Sequence, residues 1–244
     1  MHPNIVEFKV SGSYALFSDP VMRVGGEKCT YQIPTYEALK GILMSVYWKP
    51  TIIWYIDKIR VMKKIQTEVK GIRTLKFVHG EKKSGDLSYY TYLKDVEYQV
   101  QAHFEWNMNR PELAKDRNEN KHHNIAKRMI LKGGRRDVFL GTRECQGYVE
   151  PCCFGDGEGA YDDVPELSFD MMYHGITYAD EAYSEETKGN MTVRFWHPVL
   201  KQGVITFARP EECKMTKKVH EMAIKRFCEE NKNFSEVEAM VEVE

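Results

Sequence analysis

An α+β fold built on an antiparallel sheet is what this 244-residue sequence predicts, and three observations predict it. Val96, Tyr98, Val100, Ala102, Phe104 and Trp106 alternate without a break against polar neighbours, the period-two signature of a long strand with one buried face. Tyr36, Leu39, Leu43 and Val46 recur at helical spacing between a capping threonine, Thr35, and the stop Lys49-Pro50. Beyond Pro151 several short β-rich runs are separated by turn residues and no comparable helix intervenes. With 42% hydrophobic residues and a formal net charge of −1, a chain of this length can bury a full core.

Asn4 to Ser11 alternates and opens the chain as a strand, with Ser11-Gly12-Ser13 marking its bend. A connection through Pro20 and Gly25-Gly26 leads to the helix, which the spacing carries from Thr35 to Tyr47-Trp48. Thr51 to Met62 is a second strand whose apolar phase changes at Asp57-Lys58, as a bulge would produce. A connection at Gly80 to Gly85 precedes the strand ending at Trp106. Arg110 to Lys132 reads as one helix or two short ones, broken by the exposed polar run Asp116 to Asn124, and ends at Gly133-Gly134. Val138 to Val149 reads as one further strand.

The order to this point is βαββαβ, the split βαβ of ferredoxin-like and RRM-like folds. The expected division is therefore a ferredoxin-like domain over 1–150 and a smaller antiparallel β-sheet domain over 151–244. In the second, strands are expected at Ser168 to Tyr178, Met191 to His197 and Val204 to Phe207, then a helix through Val219, Met222 and Phe227 and a frayed Glu-rich end.

No run of about 18 to 20 apolar residues occurs and the N-terminus lacks a basic-then-apolar leader, so a soluble cytoplasmic protein with no membrane partner is expected. The cysteines lack CxxC spacing and read as reduced thiols, with no metal site and no cofactor motif. The near-neutral total hides an asymmetry. Lysines and arginines crowd Arg110 to Arg143, whereas Gly155 to Thr187 carries acids and neither Lys nor Arg. Within the basic stretch Arg117, Lys127, Arg128, Arg135 and Arg136 are candidates for phosphate contact, the last two following glycines that permit close backbone approach.

In Arg117-Asn118-Glu119-Asn120-Lys121-His122-His123, two imidazoles stand beside an ammonium. That grouping suits RNA scission, because a 2′-hydroxyl can attack the adjacent phosphate when a base takes its proton and a cation faces the developing charge. No metal ion is then required.

Tyr14-Ala-Leu-Phe-Ser-Asp-Pro20, Gly25-Gly-Glu-Lys28, Pro34-Thr-Tyr36, Tyr47-Trp-Lys-Pro50, Tyr90-Thr-Tyr-Leu-Lys-Asp-Val96 and Gly133-Gly-Arg-Arg-Asp137 through Arg143-Glu-Cys-Gln-Gly-Tyr-Val149 resemble the Cas-five CRISPR-associated family in its type I-C form. The resemblance covers nearly all of Phe8 to Pro210. It implies an endoribonuclease that cleaves CRISPR precursor RNA at the 3′ base of the repeat hairpin, leaving a 2′,3′-cyclic phosphate and a 5′-hydroxyl. It further implies retention of the 5′ handle within the type I-C interference (Cascade) complex, beside backbone and large subunits. The family's catalytic tyrosine, lysine and histidine fall on Tyr47, Lys121 and His122, with His123 as the alternative to His122. The rival expectation is a structural subunit that caps the 5′ handle and cuts nothing.

Overall fold

Alternation along Val6–Ala15 (β1) buries Val6, Phe8 and Val10 on one face and leaves Glu7 and Lys9 half-buried on the other. The computed structural model describes residues 3–20, 22, 26–78 and 81–224. After the short strand Lys28–Cys29 (β2), Thr35 caps helix Tyr36–Val46 (α1), its Oγ1 accepting from the Ala38 N–H at 3.1 Å. The helix ends at Val46, before the Tyr47-Trp48 end that the sequence predicts: Tyr47 is already extended, at φ −152°, with Pro50 ahead, and its N–H still reaches back to Leu43 O. Ile52–Val61 (β3) follows, and its register against the next long strand shifts between Ile56 and Lys58, where the phase change predicts a bulge.

The segment around Gly80 to Gly85 is a correction. Thr67–Val78 (β4) and Glu81–Trp106 (β5) are the arms of one antiparallel hairpin, so the predicted connection is mostly strand. Its polar, lysine-rich sequence hid it: the half-buried side of β4 carries Glu68, Lys70, Ile72 and Thr74 while Val69 and Leu75 face solvent, so no apolar alternation is written. From Leu93 onward β5 pairs with β1, and from Tyr98 it lies between β1 and β3.

The basic segment divides into a 3-10 helix, Pro111–Asp116, and Glu119–Leu131 (α2). Here too the sequence reading needs correction: Glu119 to Asn124 is no exposed break but the first turns of α2, capped by Asn118, whose side chain accepts from Lys121 N–H at 3.0 Å. His122, Ala126 and Ile130 form its buried stripe. Two strands, Val138–Phe139 (β6) and Gln146–Pro151 (β7), replace the single one expected, folded back at Gly141 (φ +93°), where any Cβ would meet Leu16 O at 2.0 Å.

The remainder supplies Leu167–Ser168 (β8), Met172–Thr177 (β9), Asn190–Trp196 (β10), Val199–Lys201 (β11), Val204–Thr206 (β12) and Met215–Glu221 (β13). The expected helix through Val219 is, as far as Glu221, the exposed strand β13, because pairing with the edge of β10 satisfies its backbone; the continuation from residue 225, with the Glu-rich end, lies outside the described residues.

The architecture is mixed α and β, mostly antiparallel sheet with few helices. Among the described residues a ten-stranded sheet runs β6-β7-β1-β5-β3-β12-β11-β8, with β2 and β4 joined to β5, and a three-stranded sheet runs β13-β10-β9. Helices α1 and α2 pack on the face of Phe8, Val10 and Val100, enclosing Leu39, Leu43, Val46, Ala126 and Ile130 in one core. The opposite face carries Glu7, Gln99 and Arg60, and residues 154–162 lie across it: Phe154 N–H donates to Glu7, Gly155 N–H to Gln99, and Arg60 pairs with Asp162 at 2.5 Å. Acids of the negative stretch thus neutralise buried cations of the chain itself, Asp180 on Arg110 and Glu181 on Lys40 being further cases. No helix among the described residues is long and apolar enough to cross a membrane.

Candidate active site

The C-terminus of α1 and the N-terminus of α2 meet, and that junction brings Tyr47 to His122 across more than seventy residues of sequence, while Lys121 reaches Asp116. Because Tyr47 leaves the helix in an extended conformation, its ring turns toward α2, and its own carbonyl is held by Trp54 Nε1–H at 2.8 Å. The Tyr47 hydroxyl lies 2.7 Å from His122 Nδ1, and His122 Nε2 lies 2.8 Å from the backbone carbonyl of Asp116. A carbonyl only accepts, so Nε2 carries the proton and donates to it; Nδ1 is then the acceptor for the phenol. His122 is fully buried, with Phe104 and Trp106 edge-on to its ring.

Burial, reinforced by the nearby Asp116 carboxylate and opposed by Arg135, pushes the Tyr47 hydroxyl up to about 12. The phenol therefore stays protonated at neutral pH. Lys121, half-exposed, places Nζ 2.5 Å from Asp116 Oδ1, while Thr51 donates to Oδ2 at 2.8 Å and His122 Nε2 stands 3.5 Å from Oδ2. Asp116, Thr51 and the two tryptophans were not identified as site residues from sequence; in sequence Asp116 is one more acid in a basic stretch, and no spacing rule marks it.

His123 lies about 100° further round the helix, with Nε2 2.9 Å from Ile5 O, away from Tyr47. The candidate cationic residues separate. Arg117 is half-buried, its Nη2 donating to Asn107 O and Arg110 O at 3.0 and 3.3 Å. Lys127 and Arg128 on α2 and Arg135 and Arg136 beyond it are exposed and make no ion pair among the described residues. Gly133 and Gly134, at φ +77° and +111°, let the chain turn back from α2, and Arg136 N–H donates to Ser45 O at 3.2 Å, tying the arginine loop to the end of α1. A groove of about 400 Å³ runs between this loop and β7, lined by Lys132, Arg135, Arg136 and the exposed Tyr148. Among the described residues no cluster of three His, Cys, Asp or Glu side chains is arranged to hold a metal, and the described cysteines are free thiols.

A family model described as CRISPR-associated protein (Cas_Cas5) matches residues 5–208. The CRISPR pre-crRNA endoribonuclease Cas5d of Mannheimia succiniciproducens is 33% identical over 161 residues, 58% of this chain and 69% of that protein. The protein of the same name from Thermus thermophilus is 29% identical over 181 residues, 69% of this chain and 73% of that protein. A crystal structure of a CRISPR-associated protein superposes with a TM-score of 0.72 at 35% identity, covering 87% of this chain and 96% of the other.

Proposed function

This chain belongs to the CRISPR-associated Cas5 family, and from that premise we propose that it is an endoribonuclease that cuts CRISPR precursor RNA at the 3′ base of the repeat hairpin. Relatives bearing the name pre-crRNA endoribonuclease support the reaction class. The single observation that carries the proposal is the Tyr47 hydroxyl on His122 Nδ1 at 2.7 Å.

In the proposed step the 2′-oxygen forms a bond to the adjacent phosphorus and the bond to the 5′-oxygen breaks. The 2′-hydroxyl loses a proton and the leaving 5′-oxygen gains one, so the products are a 2′,3′-cyclic phosphate and a 5′-hydroxyl, with no metal ion or cofactor taking part. His122 is fully buried and Tyr47 is 4% exposed; in the proposed step the phenol is the group that meets the RNA, and the imidazole exchanges protons through it. Lys121 faces the charge that develops on the phosphate. Lys127, Arg128, Arg135 and Arg136 track the RNA backbone, with Arg117 behind them and His123 as the alternative base.

The arrangement fits a ferredoxin-like domain over 1–150 with a smaller β domain over 151–244; the order β7-β1-β5-β3, with α1 and α2 as the crossovers, supports the first. After cleavage the protein keeps the 5′ handle and joins the backbone and large subunits of the type I-C interference complex in the cytoplasm. Repeat RNA incubated with the pure protein in excess EDTA is expected to be cut, and the same RNA carrying a 2′-deoxy nucleotide at the scissile position to stay whole. Undiminished cutting of the deoxy substrate would overturn the mechanism.

A further inference from the structure

We propose that Asp116 is the positioning residue of this site, its carboxylate holding Lys121 and its backbone carbonyl setting the face that His122 turns to Tyr47. The inference rests on the reading of Tyr47, Lys121 and His122 given above and adds the group that makes them one unit.

Three elements converge on this one residue. The 3-10 helix ends at Asp116 and α2 begins at Glu119, so Lys121 and His122 stand at the start of α2, five and six residues beyond it. Lys121 Nζ approaches Oδ1 at 2.5 Å, and Thr51, at the start of β3, donates to Oδ2 at 2.8 Å. The second contact ties the carboxylate to the sheet, which removes the rotamer freedom that a lysine held only by a surface acid would retain. Meanwhile the Asp116 carbonyl accepts from His122 Nε2–H at 2.8 Å, which leaves Nδ1 bare for the Tyr47 hydroxyl. One residue thereby sets both the place of the cation and the tautomer of the imidazole. The side chains of Lys121 and Thr51 together hold the Asp116 carboxyl below the usual carboxylate range, against a smaller opposing effect of burial.

The charged and titratable groups facing this cluster are Tyr47 from α1, Lys121 and His122 from α2, and Arg135 from the loop before β6. Lys121 forms an ion pair with Asp116, and His122 Nε2 stands 3.5 Å from the same carboxylate. In its absence the ammonium would swing on a four-carbon stem, and a misplacement of about 1 Å at a reacting group can cost on the order of a hundredfold in rate.

The test uses the full chain and repeat RNA under single-turnover and steady-state conditions. Asp116→Asn keeps the shape and the Thr51 hydrogen bond and removes the charge. It is expected to lower kcat by about tenfold to a hundredfold with KM within about threefold, Asp116→Glu recovering part of the loss. The double variant Asp116→Asn/Lys121→Met should cut no more slowly than Lys121→Met alone, since two groups acting through one another lose their effect only once. Losses that multiply, or a kcat for Asp116→Asn equal to that of the wild type, would overturn the proposal.

An NMR titration of the Asp116 carboxyl separates this from the functional reading. Lys121→Met should move it up toward the ordinary carboxylate range whether or not the wild-type protein cuts RNA. An unmoved titration overturns the coupling even if cleavage is observed, whereas a moved titration with no cleavage by the wild type leaves the coupling standing and removes the assigned reaction.

Discussion

Helix α1 presents a tyrosine to a buried histidine at each of its ends, and the two pairs differ in what faces the imidazole. At the N-terminal end Tyr36 stacks on His174 of β9, ring centroids 4.3 Å apart and 19° from parallel. His174 Nε2–H donates to Ala208 O at 2.9 Å and Nδ1 accepts from Arg194 Nε–H at 3.3 Å, so both ring nitrogens are satisfied by fixed partners. Burial first, then the Arg194 guanidinium, pushes this imidazole down to about 3, and it stays neutral throughout the physiological range. At the C-terminal end Tyr47 meets His122 through its hydroxyl, and the nearest charged groups are a carboxylate and an ammonium. Both histidines are fully buried, so burial alone does not tell them apart. The partners do: a guanidinium helps hold the His174 ring neutral as a packing unit, while the His122 ring faces a phenol and stands beside a carboxylate.

Breaking the C-terminal pair should have the largest effect. His122→Ala or Tyr47→Phe is expected to lower the rate of repeat-RNA cleavage by about 100- to 10,000-fold, the usual worth of acid–base assistance, with RNA affinity retained in a gel-shift assay. Next comes the N-terminal pair. His174→Ala opens a cavity against Tyr36 and leaves Arg194 Nε–H and Ala208 O unpartnered, so denaturant unfolding should show a loss of about 2–4 kcal/mol, while cleavage per folded molecule stays within a few-fold. Cleavage falling as far for His174→Ala as for His122→Ala would erase the distinction.

A third test sharpens the comparison by pH. The folded value of His174, about 3, lies below the unfolded value of about 6.5, so the unfolded chain binds the extra proton and the stabilisation is present above about pH 6.5. It should fade as pH falls from about 6.5 toward 3, by about 1.4 kcal/mol per pH unit through most of that window. Chemical denaturation of the wild type and His174→Gln across pH 4–7 reads this as a difference in slope, and parallel curves would refute the assignment.

Where side chains pack on a sheet or helix face, the sequence was readable. The alternation of β1 and of the second half of β5, the cap at Thr35, and the bulge at Asp57 each come from a local pattern that the core enforces. The β4–β5 hairpin and the exposed strand β13 were missed because the half-buried face of β4 is mostly polar and β13 buries no face, so neither writes an apolar period. In α2 the buried stripe begins with a histidine, which in sequence counts as polar; the first turns therefore looked like a surface break and His122 like a solvated side chain. The candidate site was legible in part: Tyr47, Lys121 and His122 were named from sequence motifs, whereas Asp116 and Thr51 carry no motif.

The amino-acid sequence by itself determined the class of fold, the strands with an apolar buried face, the capped start of α1 and the residue types capable of metal-free acid–base chemistry, because each of these depends on neighbours within about a turn or a strand. Only the tertiary structure decided which of two adjacent histidines meets Tyr47, which nitrogen faces it, and that an aspartate anchors the lysine beside them. Those outcomes depend on the approach of α1 to α2 and of β3 to the 3-10 helix, distances set by the packing of a shared core rather than by any spacing along the chain.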